Sequence, residues 1–409
     1  MSKKTYFFLI LILGSLTALG PFSIDMYLPG FPAIAQDLNT TPAKVSLSLS
    51  GFFIGISVGQ LLYGPLLDRF GRKKPLYLGL IVYILASAGC AFTTTIDGLI
   101  LMRVIQAIGS CAAAVASVAM VRDLFPVKDN AKVFSLLLLV VGASPMIAPT
   151  IGGYVTAALG WQSVFFILMG LGISILASVY FWLPASYKPD VSISLKPKPI
   201  LLNFWQVLRT PQFYTYAFTS AIAFSGLFAY VSGSPILFMD VFHTDEKVYG
   251  WIFAFLSVGF IGSSQVNTLL LRSFKSDQIV STALIGQVLI SLTFLSVALT
   301  GWLTLPITIF FLFIFLCCIG FTNPNAAALS LAPFAKNAGS ASALMGALQM
   351  GMGTLISIFI SLFDVPSALP MVLGMAGSSL LALLVLLLGR RWITSEVELP
   401  QEADTALFH

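Results

Sequence analysis

Two side chains stand out for the chemistry they could do where they occur. Asp25 follows GPFSI, at the far end of an uncharged run, YFFLILILGSLTALG, that begins at Tyr6. Arg103 lies near the start of another apolar run, in LMRVIQAIG. An ionised group at depth in a membrane costs about 2.5–3.5 kcal/mol or more, so each should face the interior or a water-filled cavity and find a partner. The nearest candidate partner for each is the other. A guanidinium favours the ionised acid and burial favours the neutral one. Proton occupancy of Asp25 should therefore depend on conformation and on what fills the cavity, as a site exchanging a proton against a solute requires. The competing reading is that Asp25 only ends the first helix at the outer surface, with Pro29 and Pro32 forming the loop.

The elements that must position these groups are membrane spans. Of the 409 residues, 58% are hydrophobic and 9% charged, against roughly 25% charged in soluble domains. Mean hydropathy is +0.96. Twelve apolar runs have the length of about 20 residues that crosses a bilayer as a helix. They lie near 5–28, 44–66, 75–95, 98–120, 133–155, 162–184, 212–236, 248–270, 279–300, 303–323, 339–362 and 367–389. The first follows Lys3 and Lys4 but runs on to Pro21, Asp25 and Tyr27 without a convincing small-x-small cleavage site, and is read as a retained span rather than a signal peptide.

Eighteen of the 21 Lys and Arg residues fall in the connections on one side, two (Lys44 and Lys247) on the other, and Arg103 inside a span. That asymmetry predicts cytoplasmic termini. The net charge of +5 then calls for no nucleic-acid partner. Cys90, Cys111, Cys317 and Cys318 all lie in spans, and no metal-ligand spacing appears. The chain has no H-E-x-x-H and no GxxxxGK[ST], and His243 and His409 lie outside the spans, so no nucleophile–base pair appears there. An intramembrane enzyme and an ATP-driven pump are both disfavoured. No cofactor is expected; an ion gradient would supply the energy.

The longest polar connection splits the spans six and six. The expected organisation is an N-terminal bundle (1–184), a cytoplasmic linker (185–211), a C-terminal bundle (212–390) and a tail (391–409). Within the linker, ILLNFWQVLR reads as a short interfacial amphipathic helix. Two six-helix halves suit a parallel-repeat transporter with its substrate site near the midplane.

Several stretches carry a family resemblance over essentially the whole chain. GPLLDRFGRKK (64–74) resembles the loop signature of the major facilitator superfamily, RVIQAIG (103–109) its helix 4 motif, and SPMIAPTIGG (144–153) its helix 5 antiporter motif. DMYLP (25–29), NPNAAALSLAPF and GSASALMGALQ resemble the Bcr/CflA subgroup of bacterial drug-resistance exporters. The resemblance implies an all-α fold of two six-helix halves in the bacterial inner membrane. It implies export of small lipophilic drugs, bicyclomycin- or phenicol-like, in exchange for protons by a monomer in membrane lipid. A proton-coupled uptake symporter would share the fold and Asp25.

Residue by residue, the resemblance implies proton coupling at Asp25 and Arg103. Thr17 stands where some relatives carry a second acid. It implies a conformational latch built from Gly64, Asp68, Arg69, Gly71, Arg72 and Arg122, with Asp68 meeting Arg122 and the N-terminus of the eleventh span near Gly339. Pro145, Pro149, Gly152 and Gly153 would form a smooth, leak-sealing face, with Ser144 and Ala148 where the family pattern prefers Gly. Apolar, adaptable walls suit lipophilic substrates. The candidate lining residues are Tyr27, Met102, Gln106, Tyr216, Phe224, Phe228 and Asn323. Asn323 and Asn325 flank Pro324 and could line a mouth or satisfy broken backbone.

Overall fold

A computed structural model describes residues 3–184, 186–187, 189–190, 197–334, 338–363 and 365–393. The described residues contain helices and no strand, and twelve helical stretches are long and apolar enough to cross a membrane. The tail beyond 393 and linker residues 185, 188 and 191–196 lie outside the described residues. The chain divides into two compact units, residues 1–199 with 244–254, and residues 200–243 with 255–409. Residues 244–254, which the sequence reading gives to the C-terminal bundle, pack with the first unit.

In the first unit α1 (Lys3–Asp25) gives way to a short 3-10 turn (Leu28–Gly30) and then α2 (Phe31–Asp37). Pro29 and Pro32 therefore do not form an open loop. Each sits at the start of a helical segment, where its missing N–H costs nothing. There follow α3 (Pro42–Phe70), α4 (Lys73–Phe92), α5 (Ile96–Leu124), α6 (Val127–Leu159) and α7 (Gln162–Phe181). The helix that carries Arg103, α5, is the central one, packed on α3, α4 and α1. Small residues permit that closeness. A Cβ on Gly55 of α3 would lie 2.5 Å from the Val104 carbonyl oxygen, and one on Gly109 of α5 would lie 2.6 Å from that of Gly79.

In the second unit the amphipathic α8 (Pro197–Leu208) leads into α9 (Pro211–Pro235), and α10 (Glu246–Leu270), α11 (Ser276–Leu299), α12 (Leu305–Leu331), α13 (Ala338–Ser361) and α14 (Leu369–Gly389) follow. Asn203 of α8 donates to Ser340 Oγ of α13 at 2.9 Å. The centre of this unit is α9, wrapped by α12, α13 and α14. Its span is the most buried of the twelve, with 89% of its apolar stretch inside. Past Pro235 it widens into a π-helical turn, Ile236–Val241. The tenth span outruns its expected end at 323: α12 continues through Pro324 to Leu331. There the Asn325 side chain donates to the Phe321 carbonyl at 2.8 Å and to Asn267 Oδ1 at 2.7 Å.

Candidate functional site: a boxed arginine and an uncommitted acid

Arg103 is completely buried. Its Nη1 donates to Gln106 Oε1 at 2.6 Å and its Nη2 to the backbone oxygen of Ser23 at 2.8 Å. That oxygen lies in the last turn of α1, where carbonyls have no intrahelical donor and a cation meets the negative end of the helix dipole. The guanidinium also stacks between Tyr27 and Phe52, with Cζ 4.2 Å from each ring centroid, and Phe165 of α7 lies 5.8 Å away. Gln106 in turn donates to Ser87 Oγ at 2.8 Å. Ser23 and Tyr83 share a hydroxyl–hydroxyl bond of 2.8 Å, and Tyr27 and Ser48 one of 3.3 Å. The charge is thus held entirely by neutral groups.

The expected Asp25–Arg103 ion pair is therefore absent. Asp25 is 5% exposed, and among the described residues its carboxylate has neither a hydrogen bond nor an ion pair. The guanidinium gives Nη2 to a backbone carbonyl of the last turn of α1 and Nη1 to Gln106, rather than either to the Asp25 carboxylate. Residues Ser23, Ser48, Tyr83 and Ser87 escaped the sequence reading because single hydroxyls in apolar spans carry no signal of their own.

At the junction of α3 and α4, Arg72 pairs with Asp68 and donates through Nε to Asp123 Oδ2 at 2.8 Å. Burial pulls the Arg72 proton affinity down, but the hydrogen bonds and charges of Asp123 and Asp68 outweigh it and hold the group above its ordinary value. The predicted partner Arg122 is exposed and takes no part. One residue along α5 is about 100° around it, so Asp123 faces inward instead. Arg69 lies over the Phe70 ring. Gly71 has φ +80°, the left-handed backbone that the tight turn needs. Gly64, the other glycine of the implied latch, makes no close approach, since a Cβ there would meet nothing within 4 Å. The start of the linker crosses this cluster. The Tyr187 ring lies 4.1 Å from Arg72 Cζ, Ser186 Oγ donates to Asp123 at 3.2 Å, and the Asp190 N–H donates to the Asp68 carbonyl at 3.2 Å.

Pro145 and Pro149 sit inside a continuous α6. A Cβ on Gly152 would lie 1.9 Å from the Met26 carbonyl oxygen, next to Asp25, and one on Gly153 would lie 2.3 Å from that of Glu246. Thr150 Oγ1 reaches the Gly250 carbonyl at 3.2 Å. The glycine pair is where α6 touches the backbone of the end of α1 and the start of α10.

The seven candidate lining residues separate into different places. Tyr27 and Gln106 belong to the arginine box, and Met102 packs against Gly89. Tyr216 donates to Asp277 Oδ1 at 3.0 Å, beside the Asp277–Arg390 pair. Phe224, Phe228 and Asn323 fall together in the second unit. Phe224 and Phe228 of α9 meet edge to face at 5.3 Å, and Ser220, one turn before Phe224, donates to Asn323 Oδ1 at 2.8 Å.

Twelve membrane-length helices with charge and amides buried among them define a polytopic membrane protein. The sequence pattern of the Major Facilitator Superfamily matches residues 13–358, and the chain belongs to that family, which makes it a transporter rather than an enzyme. It is 30% identical over 382 residues to the bicyclomycin resistance protein homolog of Haemophilus influenzae, covering 93% of this chain and 96% of that protein. It is 29% identical to the multidrug resistance protein MdtL of Klebsiella pneumoniae, covering 91% of this chain and 93% of that protein. These relatives agree with the Bcr/CflA subgroup that its motifs resemble. A crystal structure of a D-xylose-proton symporter shares the fold at TM-score 0.72 and 13% identity, covering 97% of this chain and 98% of that one.

Proposed function

We propose that the chain exports small lipophilic compounds, among them antibiotics of the kind its relatives are named for, and is driven by proton entry. One observation carries this reading: a buried carboxylate has no fixed counter-charge, while the arginine on the neighbouring span gives its Nη1 and Nη2 to Gln106 and the Ser23 carbonyl instead. An ionised carboxylate in such a place costs several kcal/mol, whereas a neutral one is tolerated. Proton uptake would let the protein bury Asp25, and release would follow when the site is hydrated or the cavity is occupied. The arginine box fixes the end of α1, so that the acid presents itself from a defined position. The close α6–α1 contact at Gly152 would limit proton leak around it. The Asp68–Arg72–Asp123 cluster would act as a latch that breaks and re-forms, on the side that the Lys and Arg asymmetry predicts to be cytoplasmic.

The experiment is drug accumulation in an efflux-deficient bacterial host, together with pH-gradient-driven transport in proteoliposomes. Expression should lower accumulation. Asp25→Asn should insert normally and lose gradient-driven transport. Raised accumulation on expression would instead indicate uptake, and normal proton-coupled efflux by Asp25→Asn would end the coupling assignment.

A further inference from the structure

The second unit holds a polar cluster of a different kind. Gln349 of α13 donates through Nε2 to Ser220 Oγ at 3.1 Å and to Asn323 Oδ1 at 2.9 Å, while Ser220 donates to the same Asn323 oxygen. This arrangement uses the Asn323 acceptor twice and both Gln349 donors. Among the described residues it leaves Asn323 Nδ2 and Gln349 Oε1 without a partner. Exchanging oxygen and nitrogen on both amides satisfies the same bonds and again leaves one donor and one acceptor. Either way, two neighbouring amides present complementary, unused hydrogen-bonding groups at membrane depth, where such groups need a partner.

The surroundings narrow what that partner is. The three helices that meet here, α9, α12 and α13, contain no Asp, Glu, Lys or Arg. Asn323 and Gln349 are half-buried, and so are Phe224 and Phe260, whose rings lie 6.2 Å apart. Phe224 keeps its exposure on the most buried span of the protein. A Cβ on Gly353, one turn beyond Gln349, would lie 2.5 Å from the Phe228 ring, so α13 closes tightly over the same face of α9. The cluster is an aromatic wall with an adjacent donor and acceptor and no charge, the composition of a ligand subsite rather than of a helix seam.

We propose that Ser220, Asn323 and Gln349 form a recognition site for neutral aromatic or lipophilic solutes that carry an N–H beside a carbonyl, the pattern of a lactam or secondary amide. The Asn323–Gln349 pair takes the carbonyl with its free donor and the N–H with its free acceptor, and Phe224 and Phe260 hold the apolar body. Ser220 is a positioning residue that fixes both amides. This assignment deepens the transport reading and rests on it for its biological meaning, but not for its test.

The test is equilibrium binding to the full-length protein in detergent, using the lactam oxindole and its N-methyl derivative as probes. The two differ mainly in the donor, and a site built to pair it should favour oxindole by about tenfold or more. Of Asn323→Leu and Gln349→Leu, the one that removes the free acceptor should reduce that preference to within about twofold, and the one that removes the free donor should weaken both probes together, with melting temperature preserved. Ser220→Ala should lower the preference partway. Equal affinity for the two probes, binding of neither, or a preference that survives both leucine variants would overturn the proposal. Asp25→Asn should keep the full preference, so loss of proton-driven export and loss of amide recognition are separate failures.

Discussion

The two units solve the problem of polar groups inside a membrane in opposite ways. The first keeps a full positive charge, Arg103, and an acid, Asp25, in its interior. The second keeps amides there: the Asn267–Asn325 pair, the Ser220–Asn323–Gln349 cluster, and Gln287 bonded to the Ala223 carbonyl and Ser379. Its ionic cluster, Asp277 with Arg390, Ser281 and Tyr216, is part-buried. Charge can respond to a proton and amides cannot. On the function proposed above, energy coupling would belong to the first unit and solute recognition to the second.

The largest effect expected, after loss of coupling in Asp25→Asn, is on stability at the arginine box. Arg103→Leu strands the Ser23 carbonyl and Gln106 Oε1, two buried acceptors at about 1–3 kcal/mol each. Its counterpart Gln287→Leu should cost clearly less: each removal relieves one partnerless atom, Arg103 Nε or Gln287 Oε1, but Gln287 makes only uncharged bonds of 3.2 Å to the Ala223 carbonyl and Ser379 Oγ. Thermal melting of the two purified variants compares them directly, and equal losses would dissolve the contrast.

Next comes Gly152→Ala, whose added carbon meets the Met26 carbonyl. Backbone must move at roughly 1–3 kcal/mol, and proton leak measured in liposomes should rise. At the loop cluster, Asp123→Asn should slow transport and destabilise by about 1.5–3 kcal/mol or less, as the loss of a charge-assisted bond. Arg122→Ala should stay within about 0.5 kcal/mol; an equal effect of the two would restore the pairing that the sequence suggested. Gly64→Ala is the smallest. With open space around it on α3, alanine should be neutral to slightly stabilising, so a slowed transport rate at unchanged melting temperature would reveal a close approach in another conformation.

The twelve spans were legible because a bilayer demands length and apolarity, and both are written in the sequence. Asp25 and Arg103 were legible for the same reason, as charges where none is cheap. Their relation was not. It turns on α1 ending at Asp25, which leaves the Ser23 carbonyl open to Arg103, and hydropathy does not register an unsatisfied carbonyl. The latch was misread by one position, Arg122 for Asp123, since neighbouring residues on a helix face different ways and the pattern does not say which faces the loop. Gln349 lay inside a motif already quoted for its resemblance, but its tie to Ser220 and Asn323 crosses three helices.

The π-helical turn at Ile236–Val241 has a consequence for how the seventh span is compared with its relatives. Phe242 N–H reaches back five residues to the Leu237 carbonyl rather than four, so the turn holds one residue more than an α-helical turn would. Beyond it the facing of every side chain is advanced by about 100° relative to the stripe of Ser220, Phe224 and Phe228. A one-residue gap between homologous chains can be absorbed here by tightening the turn, with each backbone bond re-formed. Extending the α9 stripe unchanged past Pro235 would assign the later residues to the wrong sides.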